Sequence, residues 1–284
     1  MKVGVQLYSV KNAMAENPLK CLKEVAEIGF KYIEPANSNA DKDYGIGIGM
    51  PAKELKKYLD DLGLQVVNAH VSPLDEDNVN RVIEYHKILG SDCLTMPMMM
   101  YSSHDDALRM AEKLQKIGEI CHANGMHYLY HNHYHEFQVL GGETVYETLV
   151  KNTSPEAVSF ELDAFWAIRG GMDDVALINK LGNRLKMIHF KDFSKTCPQP
   201  LNMFEVVDPK ANITKDFYMS KRDFTAFAEI GDGILNIQAT IDAVTKNGNV
   251  DYMILEQDRT QMPSELDSLR RSMQGLKALH GLDL

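Results

Sequence analysis

Residues 118–133 read GEICHANGMHYLYHNH. An amphipathic segment closes on Gly125, and a short apolar run follows through Tyr128, Leu129 and Tyr130. Histidines then fall at alternate positions, His131, His133 and His135. A glycine just past a helix is a C-cap signal, because it has no Cβ to penalise positive φ. A short run without polar alternation suits a strand covered on both faces. The stretch therefore predicts a helix, a cap, a buried strand and a polar strand end, in that order.

The same unit recurs along the chain. Residues 21–34 give CLKEVAEIGFKYIE, with Gly29 and a strand ending at Glu34. Residues 55–70 pass through Gly63 to His70, residues 82–96 through Gly90 to Thr95 and Met96, residues 178–192 through Gly182 to His189, and residues 243–258 through Gly248 to Glu256. Two further strands lack the preceding glycine: KVGVQLYSV at the start, and AVSFELD, entered through Ser154-Pro155. Eight strands result, near 3–8, 31–34, 65–70, 92–96, 127–132, 158–163, 185–190 and 252–256, with helical patterns between them. Asn17-Pro18 supplies an N-cap and a first-turn proline for one helix. Leu266, Leu269, Met273 and Leu276 form one face of the last. Strand and helix alternating eight times predict an α/β fold with a parallel sheet, closed as a (β/α)8 TIM barrel over residues 1–284 as a single domain. An open doubly wound sheet would more often carry a glycine-rich turn after its first strand, where this chain has QLYSVKN. One long irregular stretch, about 193–228, follows the seventh strand. Its length predicts a lid or binding loop.

A net charge of −10 disfavours duplex nucleic acid as the main partner. Cys21, Cys93, Cys121 and Cys197 are scattered without a CxxC pair. With no leader-like segment and no apolar stretch of bilayer length, the expectation is a reduced, cytoplasmic protein that does not engage membranes.

In a closed barrel all strand C-termini meet at one face, and active sites sit there. The residues ending these strands are Glu34, His70, Thr95, His131, Asp163, His189 and Glu256. Most of them can bind a metal or move a proton. His131, Asp163, His189 and Glu256, from strands five to eight, form a mixed N and O set. Such a set suits one Mn²⁺, Co²⁺, Fe²⁺ or Zn²⁺ ion better than Ca²⁺. His133 shares the face of His131 and is the alternative ligand. Glu34 and His70 are left for substrate in the other half of the mouth.

At ELDAFW (161–166), MIHFKD (187–192) and ILEQD (254–258) the chain resembles the xylose isomerase-like barrels. That superfamily holds sugar phosphate isomerases and epimerases, inosose dehydratases and endonuclease IV relatives. AEIGDG (228–233) is similar to the turn that follows the seventh strand there. The resemblance implies one divalent ion held by Glu, Asp, His and Glu, with two glutamates as acid and base. This chain departs at the first position, where YHNH places His131 in the position of the first glutamate. That form looks more like the dehydratase and keto-glycoside branches.

The expected chemistry is proton abstraction beside a polarised carbonyl of a sugar or keto-sugar. Glu256 is the base, Lys191 orients or polarises the carbonyl, and His131 completes the catalytic set. Reprotonation gives isomerisation or epimerisation. Loss of a β-substituent from a keto-sugar, inosose or keto-glycoside gives a lyase or dehydratase. Two other classes are weighed and set behind: an endonuclease IV-like phosphodiesterase, against which the acidic charge argues, and a non-catalytic sugar-binding barrel. His70, Glu34, His133, Glu136, Trp166 and Glu229 are the expected substrate contacts. Each has a plainer alternative: a satisfied core histidine for His70, a lysine partner for Glu34, a solvated loop acid for Glu136, core packing for Trp166. Lys191 equally reads as an ion-pair partner of Asp192 or Glu256. His135 is expected to face outward or lie in the loop, and Met96 to Met100 to fill irregular space. The partner is a small molecule; a homo-oligomer is compatible with this reading.

Overall fold

The computed structural model describes residues 1–284. Eight parallel strands surround the axis: β1 Lys2–Gln6, β2 Tyr32–Glu34, β3 in two short pieces Gln65–Val66 and His70–Val71, β4 Cys93–Met96, β5 His127–His131, β6 Ser159–Asp163, β7 Leu185–Phe190 and β8 Tyr252–Leu255. β8 pairs with β1, and β1 with β2. The ring closes through β3. Its first piece pairs with β2, and its second with Ala36–Asn37, the continuation of β2, and with β4. The expected barrel is therefore observed, with each strand within one or two residues of its sequence limits.

The helices between strands arise from the local signals already noted. Asn17 caps Pro18–Ile28 by accepting from the Lys20 N–H, and Gly29 ends that helix at φ 113°. Gly248 ends Ile237–Asn247 at φ 75°, a backbone state that favours glycine. In Glu265–Leu276, Leu269, Met273 and Leu276 are buried against the barrel wall. No helix is long and apolar enough to cross a membrane.

Two hydrophobic clusters matter for the site. The larger, of 59 buried residues, fills the space between strands and helices. The smaller, of 11, lies at the C-terminal mouth and includes Tyr134, Phe165, Trp166, Phe193, Tyr218 and Phe227. Eight of its 11 residues lie in the long segment after β7. That segment is more ordered than its composition suggests: Asp192–Phe193 pairs antiparallel with Phe227–Ala228, and Lys215–Ser220 is a helix.

Candidate active site

The strand ends converge as two stacked layers of polar side chains, because alternate residues of a strand point to the same side. The upper layer holds Asp163, Lys191, Glu256 and Asp258. The lower layer holds Gln6, Glu34, Asn68, His70 and Glu161. His131 and His189 stand between them. Asp163, Glu161, Glu34 and His189 are wholly buried, and Lys191, His131, His70 and Glu256 nearly so.

In the upper layer, Lys191 Nζ donates to Asp163 and, at 2.6 Å, to Glu256 Oε2. It also lies 3.5 Å from Asp258, which accepts at 2.9 Å from Arg222 of the long segment. Burial alone would lower the lysine pKa, but Asp163, Asp258 and Glu256 outweigh it and hold the ammonium above its ordinary range. Burial likewise opposes ionisation of Glu256, yet Lys191 and His189 hold its carboxyl well below the ordinary range. Asp192 does not pair with Lys191. It accepts from the backbone N–H groups of Gly231, Gly233 and Leu235 and so shapes the turn after the long segment.

In the lower layer, Asn68 donates to Glu34 at 2.5 Å and to Glu161 at 3.0 Å, and Gln6 donates to Glu34 at 2.7 Å. His70 Nε2 lies 2.6 Å from Glu161, and its ring stacks on His189 with centroids 5.2 Å apart. Burial and the neighbouring Glu161 raise the Glu34 carboxyl to about 7. Glu34 and His70, expected to face substrate, are both engaged in these hydrogen bonds. They reach across the barrel axis and are consumed in this network beneath the mouth.

Two sets of four side chains bring their ligand atoms within 4.8 Å of one another: His131, Asp163, His189 and Glu256, and below it His70, His131, Glu161 and His189. The first is the set read from the strand ends. Its chemistry fits a divalent ion of the Mn²⁺ to Zn²⁺ group. It offers two imidazoles and two carboxylates, all buried; burial pushes His131 down to about 3, whereas at His189 burial is outweighed by Glu161 and Glu34, which hold it above its ordinary range, so an ion bound there would take the place of the His189 proton.

The remaining expected contacts fall differently. His133 packs its ring 5.6 Å from that of Trp166 and 5.3 Å from that of Tyr218, at the rim. Trp166 is buried in the mouth cluster with Lys191 Nζ 5.8 Å from its ring centre, the position its core-packing reading describes. His135 is buried, not outward, with Nε2 2.8 Å from the Met99 carbonyl. Glu136 is no solvated acid. It is wholly buried and accepts from the Tyr130 hydroxyl at 2.6 Å and the His133 N–H at 2.9 Å. The turn His135–Phe137 folds both residues back under the strand end. Glu229 turns away from the mouth, accepting from Thr260 and, at 2.9 Å, from Ser268.

Sequence reasoning missed Glu161, Asn68 and Gln6. The signal was present: Glu161 is two residues before Asp163 and Asn68 two before His70, hence on the same inward faces. Arg222 and Tyr218 carried no such signal.

The family model of the xylose isomerase-like TIM barrel matches residues 22–279. The chain belongs to that family. Among curated family relatives, an inosose dehydratase of Lacticaseibacillus casei is 24% identical over 62% of this chain, and the match spans only 54% of that protein. One from Clostridium beijerinckii is 24% identical over 84% of this chain and 82% of its own. A solved sugar phosphate isomerase/epimerase of Parabacteroides distasonis superposes with TM-score 0.75 at 24% identity, covering 98% of this chain and 93% of that one. An IOLI protein solved with a bound zinc atom superposes with TM-score 0.66 at 14% identity over 98% and 97% of the two chains. At these identities the structural likeness speaks for the family fold.

Proposed function

We propose that this barrel is a divalent-metal-dependent enzyme that removes a proton from the carbon beside a carbonyl of a sugar or keto-sugar. The convergence of His131, Asp163, His189 and Glu256 on one buried point, with Lys191 beside it, carries this reading. A divalent ion held there would supply Lewis acidity, lowering the pKa of the adjacent C–H. Glu256 is the base: its carboxyl is held ionised at the mouth, whereas Glu34 and Glu161 are engaged below. Lys191 holds Glu256 in place and carries a proton at Nζ beside it. Trp166, His133 and Tyr218 pack against one another beside the upper layer, with Lys191 Nζ 5.8 Å from the Trp166 ring centre.

The fate of the carbanionic species distinguishes isomerisation from elimination. Epimerisation uses a second base on the opposite face of the carbon. Strand β5, where that base would stand, offers the neutral His131 instead of a carboxylate. One base and an adjacent ammonium suit single-faced isomerisation or loss of a β-hydroxyl or glycosyl group, and the Lys191–Glu256 contact favours elimination as the second reading. The inosose dehydratase relatives support it.

The test is metal analysis of the purified protein, followed by deuterium incorporation from D₂O across keto-sugars and keto-polyols. About one ion per chain is expected, with loss in Asp163→Ala and His189→Ala. Full occupancy in both variants would remove the proposed centre. An unsaturated product marks elimination, and an isomeric ketose or aldose marks isomerisation.

A further inference from the structure

Arg169 stands apart from the charge network of the mouth. It ends the helix Ala164–Arg169 after β6, is 5% exposed, and makes no ion pair within 4.0 Å. Its contacts are the Leu201 carbonyl at 3.0 Å and the Met203 sulfur at 2.6 Å. A buried arginine is almost always paired with an acid, because an uncompensated charge is costly to take out of water.

Arg169 lines a cavity of about 10 Å³, room for about one water molecule or one monatomic ion. The polar part of its wall is Arg169, Arg222, Lys221, Asp223, Tyr134 and Trp166, and the other four lining residues are apolar. Three of these side chains carry a buried polar atom without a hydrogen-bond partner: Trp166 Nε1, Arg222 Nε and the Tyr134 hydroxyl. Indole and guanidinium nitrogens only donate, and a hydroxyl can donate. Leaving such groups unpaired inside a protein is unfavourable, so each calls for an acceptor. The acid in the wall does not supply it. Asp223 Oδ1 accepts from the N–H and the hydroxyl of Thr225, at 2.8 and 2.7 Å. Arg222 already has Asp258 at 2.9 Å as its counter-charge. Arg169 is thus the cation in the wall that is both buried and without a counter-ion.

We propose that this cavity binds a small monovalent anion of the halide class, with Arg169 as its counter-charge and Trp166 Nε1–H, Arg222 Nε–H and Tyr134 O–H as its donors. An anion accepts from all three and neutralises the guanidinium. A water molecule accepts from two at most, brings two hydrogens that need acceptors of their own, and carries no charge. Phosphate and sulfate exceed the volume. The wall is assembled from separate parts of the chain: Tyr134 follows β5, Trp166 and Arg169 follow β6, and Lys221, Arg222 and Asp223 belong to the long segment after β7. An ion held among them fastens that segment to the barrel. None of these residues is in the proposed metal set, so the site stands independently of the proposed function.

The test uses the full chain in EDTA and sodium methanesulfonate, an anion too large for the cavity, with bromide exchanged in at constant ionic strength. Trp166 is the chain's only tryptophan, so its emission reports the site directly. The expected result is saturable quenching by bromide at a single class of site, reversed by chloride. Arg169→Gln should weaken bromide about 10–100-fold, the cost of losing a charged hydrogen-bond partner, and Tyr134→Phe about 10-fold. Quenching that rises linearly with bromide and is untouched by chloride would leave water as the occupant and overturn the proposal. Equal bromide affinity in wild type and Tyr134→Phe would place the ion elsewhere and overturn it as well. Tyr134→Phe removes a single hydroxyl, so it decides the matter even where Arg169→Gln does not fold.

Discussion

Lys191 Nζ lies 2.6 Å from Glu256 Oε2 and also donates to Asp163, so one buried ammonium joins acids from the strands on either side of its own. The same two acids are half of the proposed ligand set. Lysine and the proposed ion would therefore share their counter-charges.

Removing that lysine should separate the two. Lys191→Met leaves two buried carboxylates without their cation, and breaking such a pair typically costs about 3–5 kcal/mol. Thermal or urea unfolding in EDTA should show this loss. Added Mn²⁺ should recover more stability in the variant than in wild type, because a bound ion replaces the missing charge. Equal destabilisation with and without Mn²⁺ would show that the lysine and the ion do not share these acids.

Glu256→Gln keeps the shape and one ligating oxygen but removes the base. Metal should be retained in part, while deuterium exchange at the substrate carbon falls about 10²–10⁴-fold. A modest loss in this variant, with exchange abolished in Lys191→Met at full metal content, would transfer the proton-abstracting role to the lysine.

His131 and His133 can be ranked. His131 stands between the layers, whereas His133 is walled by Trp166 and Tyr218 at the rim. His131→Ala should lower metal affinity by more than the roughly 10–100-fold typical of an orienting group, and His133→Ala by less. The reverse order would move the ion toward the rim.

How much of this was legible in the sequence follows from what a strand end shows. Gly29, Gly63, Gly90 and Gly248 announced helix ends, and all four adopt positive φ. The strand termini Asp163, His189 and Glu256 then named the mouth. The lower layer was hidden because the reading stopped at each terminal residue; Glu161 lay two positions inside, where the same face continues. His135 and Glu136 were misplaced for another reason. A turn of 3-10 helix after β5 folds them under Tyr130 and Met99, and neither periodicity nor charge reveals a fold-back of that size. Arg222 reaches Asp258 across 36 residues of chain, a pairing that only the closed barrel brings about.

His86 offers a pH signature away from the mouth. It is wholly buried on Val79–Leu89, and neither ring nitrogen has a hydrogen-bond partner. Burial pushes it from 6.5 down to about 4. Its folded pKa is thus below its unfolded value, so the unfolded chain takes up a proton that the folded chain refuses. Stability should fall as pH drops from about 6.5 and level off near 4, by roughly 3 kcal/mol in all. His86→Leu should flatten that part of the profile in urea titrations at fixed metal concentration. An unchanged slope would assign it to other groups.

The mouth cluster around Trp166, Phe193 and Tyr218 is separate from the 59-residue core, and most of its members lie on or against residues 193–228. Such a division of apolar contacts sets up two cooperative units of unequal strength. Amide hydrogens in the helix Lys215–Ser220 should exchange through a partial opening that leaves the β-strands protected. Trp166, the chain's only tryptophan, is a member of the smaller unit, and its emission should shift to the red at lower urea than the loss of far-ultraviolet ellipticity. The molecule thus carries a native fluorophore inside the smaller of its two apolar units, where it reports the opening of that unit by itself.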